Sequence, residues 1–490
     1  MDLGRVRPLV GAGQPTFAEF SRVLCAVLAA KIAWLVADHT LRLYMGDSMV
    51  YLQTAAWLSG APGRSYLYGA ILHYTAFPFG APLAIIVLHA LWSTASALGL
   101  HAFLRVGIGV SASYAATAAV LLALEPAQVF FERIIMAETA GLLALVGTFL
   151  AYARYLQHGH LRWYLAGCLC GLAAGNFRTS MLPVVMGLGV VAPLLFLLVR
   201  RQVVLGVGSR LRHGLIALCI LLLSHVAYTQ VYGIATKSPP GYLALTGMMR
   251  IGLVAPLIEP RHFEGTGVSG EILQQVRLPL DDHWQRGSQI WSDKGLWRVL
   301  EKNASDPEAV ARVITRRAMI DHPLELLRIN ISTLGGYFDA RKTNARMRDD
   351  IGVIPPDARA REVILEWMDW DVAGIDAVDT PARVYFAKSG WWLTACLFLL
   401  APIALLTLAT GWRRERRDLY ALLALASLGL VASHVLFSHI VSFRYLHPLP
   451  WFMLANGAAF LAASSRVRSA TAKAGPGTAD TPASSPPSLP

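Results

Sequence analysis

Charge is scarce in this chain. Asp, Glu, Lys and Arg make up 15% of its 490 residues, while 55% are hydrophobic. A soluble globular domain carries roughly 25% charged residues, so that class is excluded. Cysteine is scarce as well. Cys25, Cys168, Cys170, Cys219 and Cys396 all fall in apolar runs, and none lies in a polar loop. A disulfide framework or zinc–thiolate cluster is therefore not expected, and these residues read as small core hydrophobes. There is no Gly-rich nucleotide loop, no repeat of fixed period, and no His-x-x-x-His or Glu-x-x-His pair inside an apolar run. The first apolar run lacks a separate short core with a small-residue cleavage site, so it is expected to be retained.

What the chain has in excess is apolar sequence, with a mean hydropathy of +0.48. Runs near 18–40, 80–103, 110–128, 134–156, 161–176, 180–199, 214–232, 389–410, 419–438 and 446–464 approach the ~20 residues that span a hydrocarbon core. The expectation is an all-α polytopic membrane protein of about ten transmembrane helices. The net charge of +12 raises nucleic acid as a partner. The arginines flank apolar runs, however, which marks cytoplasmic loops instead, and nucleic acid is not expected.

Orientation follows from those loops. With Arg5, Arg7 and Arg22 in the cytoplasm, the same side receives Arg105; Arg154 and Arg162; and Arg200, Arg201, Arg210 and Arg212. It also receives Arg413, Arg414, Arg416 and Arg417, and then Arg466, Arg468 and Lys473. Every dense basic cluster in a short loop falls on one side, as the positive-inside rule requires. The expected organisation is an N-terminal membrane module over 1–232 and an extracytoplasmic, mostly helical domain over 233–388. Returning membrane helices follow over 389–464, and then a disordered cytoplasmic tail over 465–490. In the domain, Asp306-Pro307-Glu308 is expected to open a helix through Met319, with another after Asp321-His322-Pro323.

The opposite side holds the residues with chemical interest. Asp47 lies in the outer loop 41–79, and Tyr51, four residues on, shares its face if the stretch is helical. The plain reading is a capping acid in an aromatic belt. The functional one is a carboxylate above the bilayer beside rings that stack on a sugar. Glu125, Glu132, Arg133 and Glu138 cluster around the third and fourth runs, with Glu138 about one turn inside the fourth. Arg178 and Arg444 lie at outer ends, against the charge trend. Their guanidinium forks match phosphate oxygens, or they pair with Glu132 or Glu138 and hold helices together. Arg444 and His447 are three apart and can share a face. Lys31, mid-run, calls for a partner carboxylate. A divalent cation at Asp47 or Glu138 is a further option, since hard cations bridge carboxylate and phosphate oxygens.

Four segments carry a resemblance: Gly46-Asp47-Ser48 with Tyr51; Glu132-Arg133-Ile134-Ile135-Met136-Ala137-Glu138; Gly171 to Arg178; and Phe443-Arg444-Tyr445-Leu446-His447-Pro448. Together they resemble the GT-C glycosyltransferases that use polyprenyl-phosphate sugars, in the bacterial protein-mannosyltransferase-like and aminoarabinose-transferase-like branch. The chain departs from the mannosyltransferase pattern in having one acid at the first site where that pattern has Asp-Glu. The resemblance implies a multi-pass enzyme of a bacterial inner membrane, with its site facing the periplasm. It implies a polyprenyl-phosphate-linked sugar as donor and a lipid, glycan or protein as acceptor. Asp47 becomes the base, and Glu138, Arg178, Arg444, Tyr51 and His447 become substrate-binding residues. A single base with a phosphate leaving group implies inversion. Two other classes use the same residues: a flippase for a lipid-linked glycan would line its path with them, and a non-catalytic envelope scaffold would use them as struts.

Overall fold

The computed structural model describes residues 15–60, 63–200, 206–339, 346, 358–372, 379–437 and 439–473. It is helical throughout, with no β-strand among the described residues. In chain order the first ten helices are α1 (Phe17–Ala37), α2 (Met45–Trp57), α3 (Tyr66–Thr75), α4 (Pro82–Ala102), α5 (Ala112–Leu124), α6 (Pro126–Phe131), α7 (Glu138–His158), α8 (Leu161–Phe177), α9 (Leu182–Leu194) and α10 (Val207–Thr236). The block expected to lie outside the cytoplasm, called the outer block, adds α11 (Thr246–Val254), α12 (Ser288–Trp291), α13 (Leu296–Asn303), α14 (Pro307–Asp321) and α15 (Pro323–Gly335). Three long helices follow, Gly390–Gly411, Arg417–Phe437 and Leu449–Lys473.

Seven helical segments are long and apolar enough to cross a membrane: Phe17–Ala37, Pro82–Ile108, Glu138–His158, Thr179–Val199, Val207–Thr236, Gly390–Gly411 and Arg417–Phe437. Each coincides with an expected run. The other three runs hold helices of different character. The run 110–128 yields α5, a shorter apolar helix. It stops because Glu125 turns to an extended conformation and caps α6, its carboxylate accepting the Gln128 N–H at 2.9 Å, with Pro126 in the first turn. The stretch Glu125–Arg133, which joins the third and fourth runs, is thus mostly a helix. The run 161–176 is the 17-residue α8. The last helix continues to Lys473, into the segment expected to be a disordered tail, because the Ala and Ser there are compatible with a helix. The remainder of that tail, 474–490, lies outside the described residues.

The two ends of the bundle differ chemically. At one end arginines cap helix carbonyls, where the dipole favours cations. Arg416 reaches Val106 O and Gly107 O, Arg417 reaches Val199 O, Arg200 reaches Gln157 O, and Arg414 reaches Ala463 O. Arg105 bonds both Glu19 oxygens and Val110 O. These arginines belong to the clusters that the loop charges assign to the cytoplasm. The other end carries Asp47, Glu138, Arg178 and Arg444.

Inside the bundle, Lys31 of α1 ion-pairs with Glu132, and its ammonium also donates to Ala123 O at 2.6 Å. Both side chains are buried. The partner expected for Lys31 is therefore found. Removing Lys31 leaves Glu132 only the longer contact to buried Arg133, at 3.4 Å, and breaking a buried pair in this way costs about 3–5 kcal/mol. Lys31→Met should lose that much in an unfolding titration in detergent, and Lys31→Met with Glu132→Gln should recover most of it. A double variant as unstable as the single would show that packing, not charge, is at stake.

The outer block has its own apolar core, built from Met248, Ile251, Val254, Phe263, Ile290, Leu296, Leu300, Ile314 and others. As expected, α14 opens at Asp306, whose carboxylate accepts the Ala309 N–H at 2.9 Å, with Pro307 and Glu308 in its first turn. Glu308 then accepts the Gly247 and Met248 N–H groups at the start of α11, at 2.7 and 3.1 Å. Gly247 permits that approach: a Cβ there would lie 2.6 Å from the Arg312 nitrogen. Arg286, fully buried, joins the block to the membrane part by donating to Leu253 O, Thr333 Oγ1 and His439 O.

Candidate active site

Asp47 stands in the first turn of α2. Its place is set by the backbone before it. The Arg42 N–H donates to Arg133 O at 2.8 Å and Arg42 O accepts from the Ile135 N–H at 3.2 Å, an isolated parallel bridge. Ser48 adds a second tie, its Oγ accepting the Tyr44 N–H at 2.7 Å and donating to Ile135 O at 2.9 Å. This pairing takes residues 134–137 out of helix. The helix expected over 134–156 therefore starts at Glu138, which is the first residue of α7 and not one turn inside it. A carboxylate is favoured there by the helix dipole.

Arg178 follows directly after α8, where the backbone turns extended. Its side chain lies across the first turn of α7, over Gly141; a Cβ on that glycine would lie 3.2 Å from Arg178 Cγ. Arg444 sits in a short 3-10 turn, Phe443–Leu446, ahead of the last helix. The Tyr337 hydroxyl braces that turn, accepting the Ser442 N–H at 3.0 Å and lying 2.9 Å from Ser442 O.

These residues converge. Arg444 donates from Nη1 to Asp47 Oδ2 at 2.6 Å and from Nε to Glu138 Oε1 at 2.5 Å. Arg178 Nη1 donates to the same Glu138 oxygen at 2.7 Å. Asp47 and Glu138, separate sites in the sequence, thus share one guanidinium. The sequence reading missed a fifth member. Arg64 reaches Asp47 Oδ1 from Nε at 3.0 Å and from Nη2 at 2.5 Å. It carries the same signal that singled out Arg178 and Arg444, an arginine on the side expected to be outer, against the charge trend. Three cations against two anions give the cluster a net charge of +1.

Aromatic rings back the guanidiniums. Tyr44 lies 5.0 Å from Arg444, Tyr445 lies 6.0 Å from Arg178, and the half-exposed Trp291 of the outer block lies 5.5 Å from Arg64. Such stacking adds attraction without consuming N–H donors. Access is graded. Glu138 is fully buried, whereas the side chains of Arg444 and Arg64 are 19% and 22% exposed. Burial pushes the Asp47 carboxyl up, but Arg444 and Arg64 outweigh it and hold it below its ordinary value. Arg444 is also drawn towards neutrality by burial, and Glu138 and Asp47 more than offset that.

Tyr51 is on the Asp47 helix, buried, with its ring edge-on to Tyr68 at 4.8 Å. Burial pushes its phenol up, so it is a neutral hydroxyl. His447 is buried edge-on to Phe131 at 5.0 Å, and its Nε2 has no partner among the described residues. Glu138 Oε2 likewise has none. Fully buried, Glu138 holds two guanidiniums in place and stands behind them. A divalent cation at Asp47 or Glu138 would have to compete with these guanidiniums for both Asp47 oxygens and one Glu138 oxygen. Compared with known proteins, the chain matches no protein-family model and no curated protein sequence.

Proposed function

We propose that this protein is an integral-membrane glycosyltransferase that moves a sugar from a polyprenyl-phosphate donor to an acceptor hydroxyl outside the cytoplasm, with inversion. The observation that carries the reading is the convergence of Arg178, Arg444 and Arg64 on Asp47 and Glu138, at the bundle end opposite the arginine-capped one. A net positive, partly open cluster attracts a phosphodiester, and guanidinium forks suit its oxygens. Asp47 takes the proton of the acceptor hydroxyl. The hydroxyl oxygen attacks the anomeric carbon, and the bond from that carbon to the phosphate oxygen breaks. The electron pair leaves with the polyprenyl phosphate, whose charge the arginines stabilise.

As it stands, Asp47 is a weak base, because both its oxygens accept from arginines. The donor changes that: its phosphate competes for Arg64, the most exposed of the three, and releases Oδ1 towards the acceptor. Donor therefore binds before acceptor. Arg64→Ala tests this. Losing one cation lets the Asp47 carboxyl rise towards its ordinary value, so the acid limb of the pH–rate profile should move to higher pH, and donor KM should rise roughly tenfold or more. An unmoved acid limb would separate Arg64 from the base.

The function itself is tested with purified protein in lipid and a panel of polyprenyl-phosphate sugars, following acceptor products by mass spectrometry. Translocation of a lipid-linked glycan without a covalent product would favour the flippase reading. The siting of the cluster outside the cytoplasm is tested by reporters: one fused near Ser288 should be extracytoplasmic and one near Gly206 cytoplasmic. The reverse pattern would remove the phosphate-sugar reading.

A further inference from the structure

Apart from the arginine cluster, the outer block brings two histidines and a glutamate together. Glu259 caps a 3-10 turn, Pro260–Phe263, and His262 lies three residues on. In that geometry residues i and i+3 eclipse, so the Glu-Pro-Arg-His run presents both side chains on one face. His322, at the junction of α14 and α15, completes the group, with Nε2 at 3.1 Å from Glu259 Oε1. One ligand atom from each residue lies within 4.8 Å of the others. The geometry points to a zinc site formed by Glu259, His262 and His322, which ties the 260–263 turn to the α14–α15 junction.

The ring of His262 is already set for this. The Glu259 N–H donates to its Nδ1 at 3.0 Å, so the ring proton is on Nε2, 3.2 Å from Asp321 Oδ2. Zinc would take the Nδ1 lone pair in place of the amide hydrogen. Asp321 would go on accepting the His262 Nε2–H, the carboxylate–histidine–metal arrangement that orients ligands in zinc sites. Two imidazoles and a carboxylate select zinc over magnesium or calcium. Around a tetrahedral ion with bonds of ~2.0–2.1 Å the ligand atoms stand roughly 3.4 Å apart; the Glu259–His322 separation of 3.1 Å is already close to that, and the others, at most 4.8 Å, close by up to about 1.4 Å. Three protein ligands leave one position for water. Arg261 is the competing cation: it bonds Glu259 Oε2 at 2.6 Å and lies 3.4 Å from His322 Nε2. Its side chain is 56% exposed and can turn into solvent.

The test uses the full-length protein in detergent, chelator-treated and then dialysed against submicromolar zinc, with metal content read by mass spectrometry. One zinc per chain is expected. His322→Gln, at a partly exposed position, should lose it, and His322→Cys, which supplies another zinc ligand, should regain it. Asp321→Asn should weaken binding by roughly 10-fold or more. His158→Gln with His160→Gln, removing a stacked pair of rings 6.1 Å apart at the opposite, arginine-rich end, should keep the zinc. No stoichiometric zinc in the unaltered protein, zinc held equally well by His322→Gln, or zinc lost only from the His158/His160 variant would each overturn the proposal. None of these readouts depends on sugar transfer.

Discussion

Arg444→Ala is expected to abolish transfer and to destabilise the fold at the same time. Among the described residues, Arg444 is the one bonded to both carboxylates, spanning a separation of 397 residues to Asp47 and 306 to Glu138. Without it, Glu138, fully buried, keeps only Arg178, and Asp47 keeps only Arg64. Breaking a buried ion network by removing one partner costs about 3–5 kcal/mol. The same guanidinium would stabilise the departing phosphate, and losing such a donor costs roughly 10²–10³-fold in rate. Arg444→Lys separates the two roles. It restores the charge, so the melting temperature in detergent should recover in part. A single ammonium cannot span both carboxylates as the fork does, so transfer should stay far below that of the unaltered protein. Near-normal transfer by Arg444→Lys would show that the fork has no part in the chemistry.

Asp47→Asn should leave the structure nearly unchanged and reduce transfer by roughly 10²–10⁴-fold, the range for a general base. The amide is isosteric and still accepts from one arginine. The cluster charge rises from +1 to +2, so donor binding should hold or tighten while turnover falls. That split distinguishes a base from a strut, because a strut would weaken both. A pH signature accompanies it. The folded Asp47 carboxyl lies below its unfolded value of about 3.9. Its ionisation therefore adds stability above that value, and this is lost as pH falls through the folded one. The unaltered protein should lose this increment in acid, and Asp47→Asn should lack it at every pH. Full transfer by the Asn variant would remove Asp47 from the reaction.

How far the site could be read in advance differs residue by residue. Asp47, Arg178 and Arg444 stood out because each breaks a local rule of charge at a membrane boundary. Arg64 breaks the same rule and went unnoticed beside a run of tyrosines. Glu138 was found as well; at the first residue of α7 it accepts from two guanidiniums at once. That placement depends on the Arg42–Ile134 bridge, which no periodicity announces because it joins two irregular stretches far apart in the chain. The Glu259–His262 pair escaped for a related reason. It lies in a polar stretch outside the apolar runs, and the third member comes from the junction of two other helices.

The sequence by itself determined the class and grouped the charges by end. Apolar runs need a nonpolar environment wherever they fold, and basic loops sort to one end whatever the packing, so the helical membrane character and the location of the odd charges are properties of local composition. The tertiary structure alone decided partnership. Which acid meets which arginine, why Arg444 serves two carboxylates at once, and how Trp291 of the outer block comes to lie over Arg64 depend on distances of ~3–6 Å across hundreds of residues. Hydrogen bonds form only at about 3 Å and Coulomb attraction is largest at such close approach, and chain order carries no record of it.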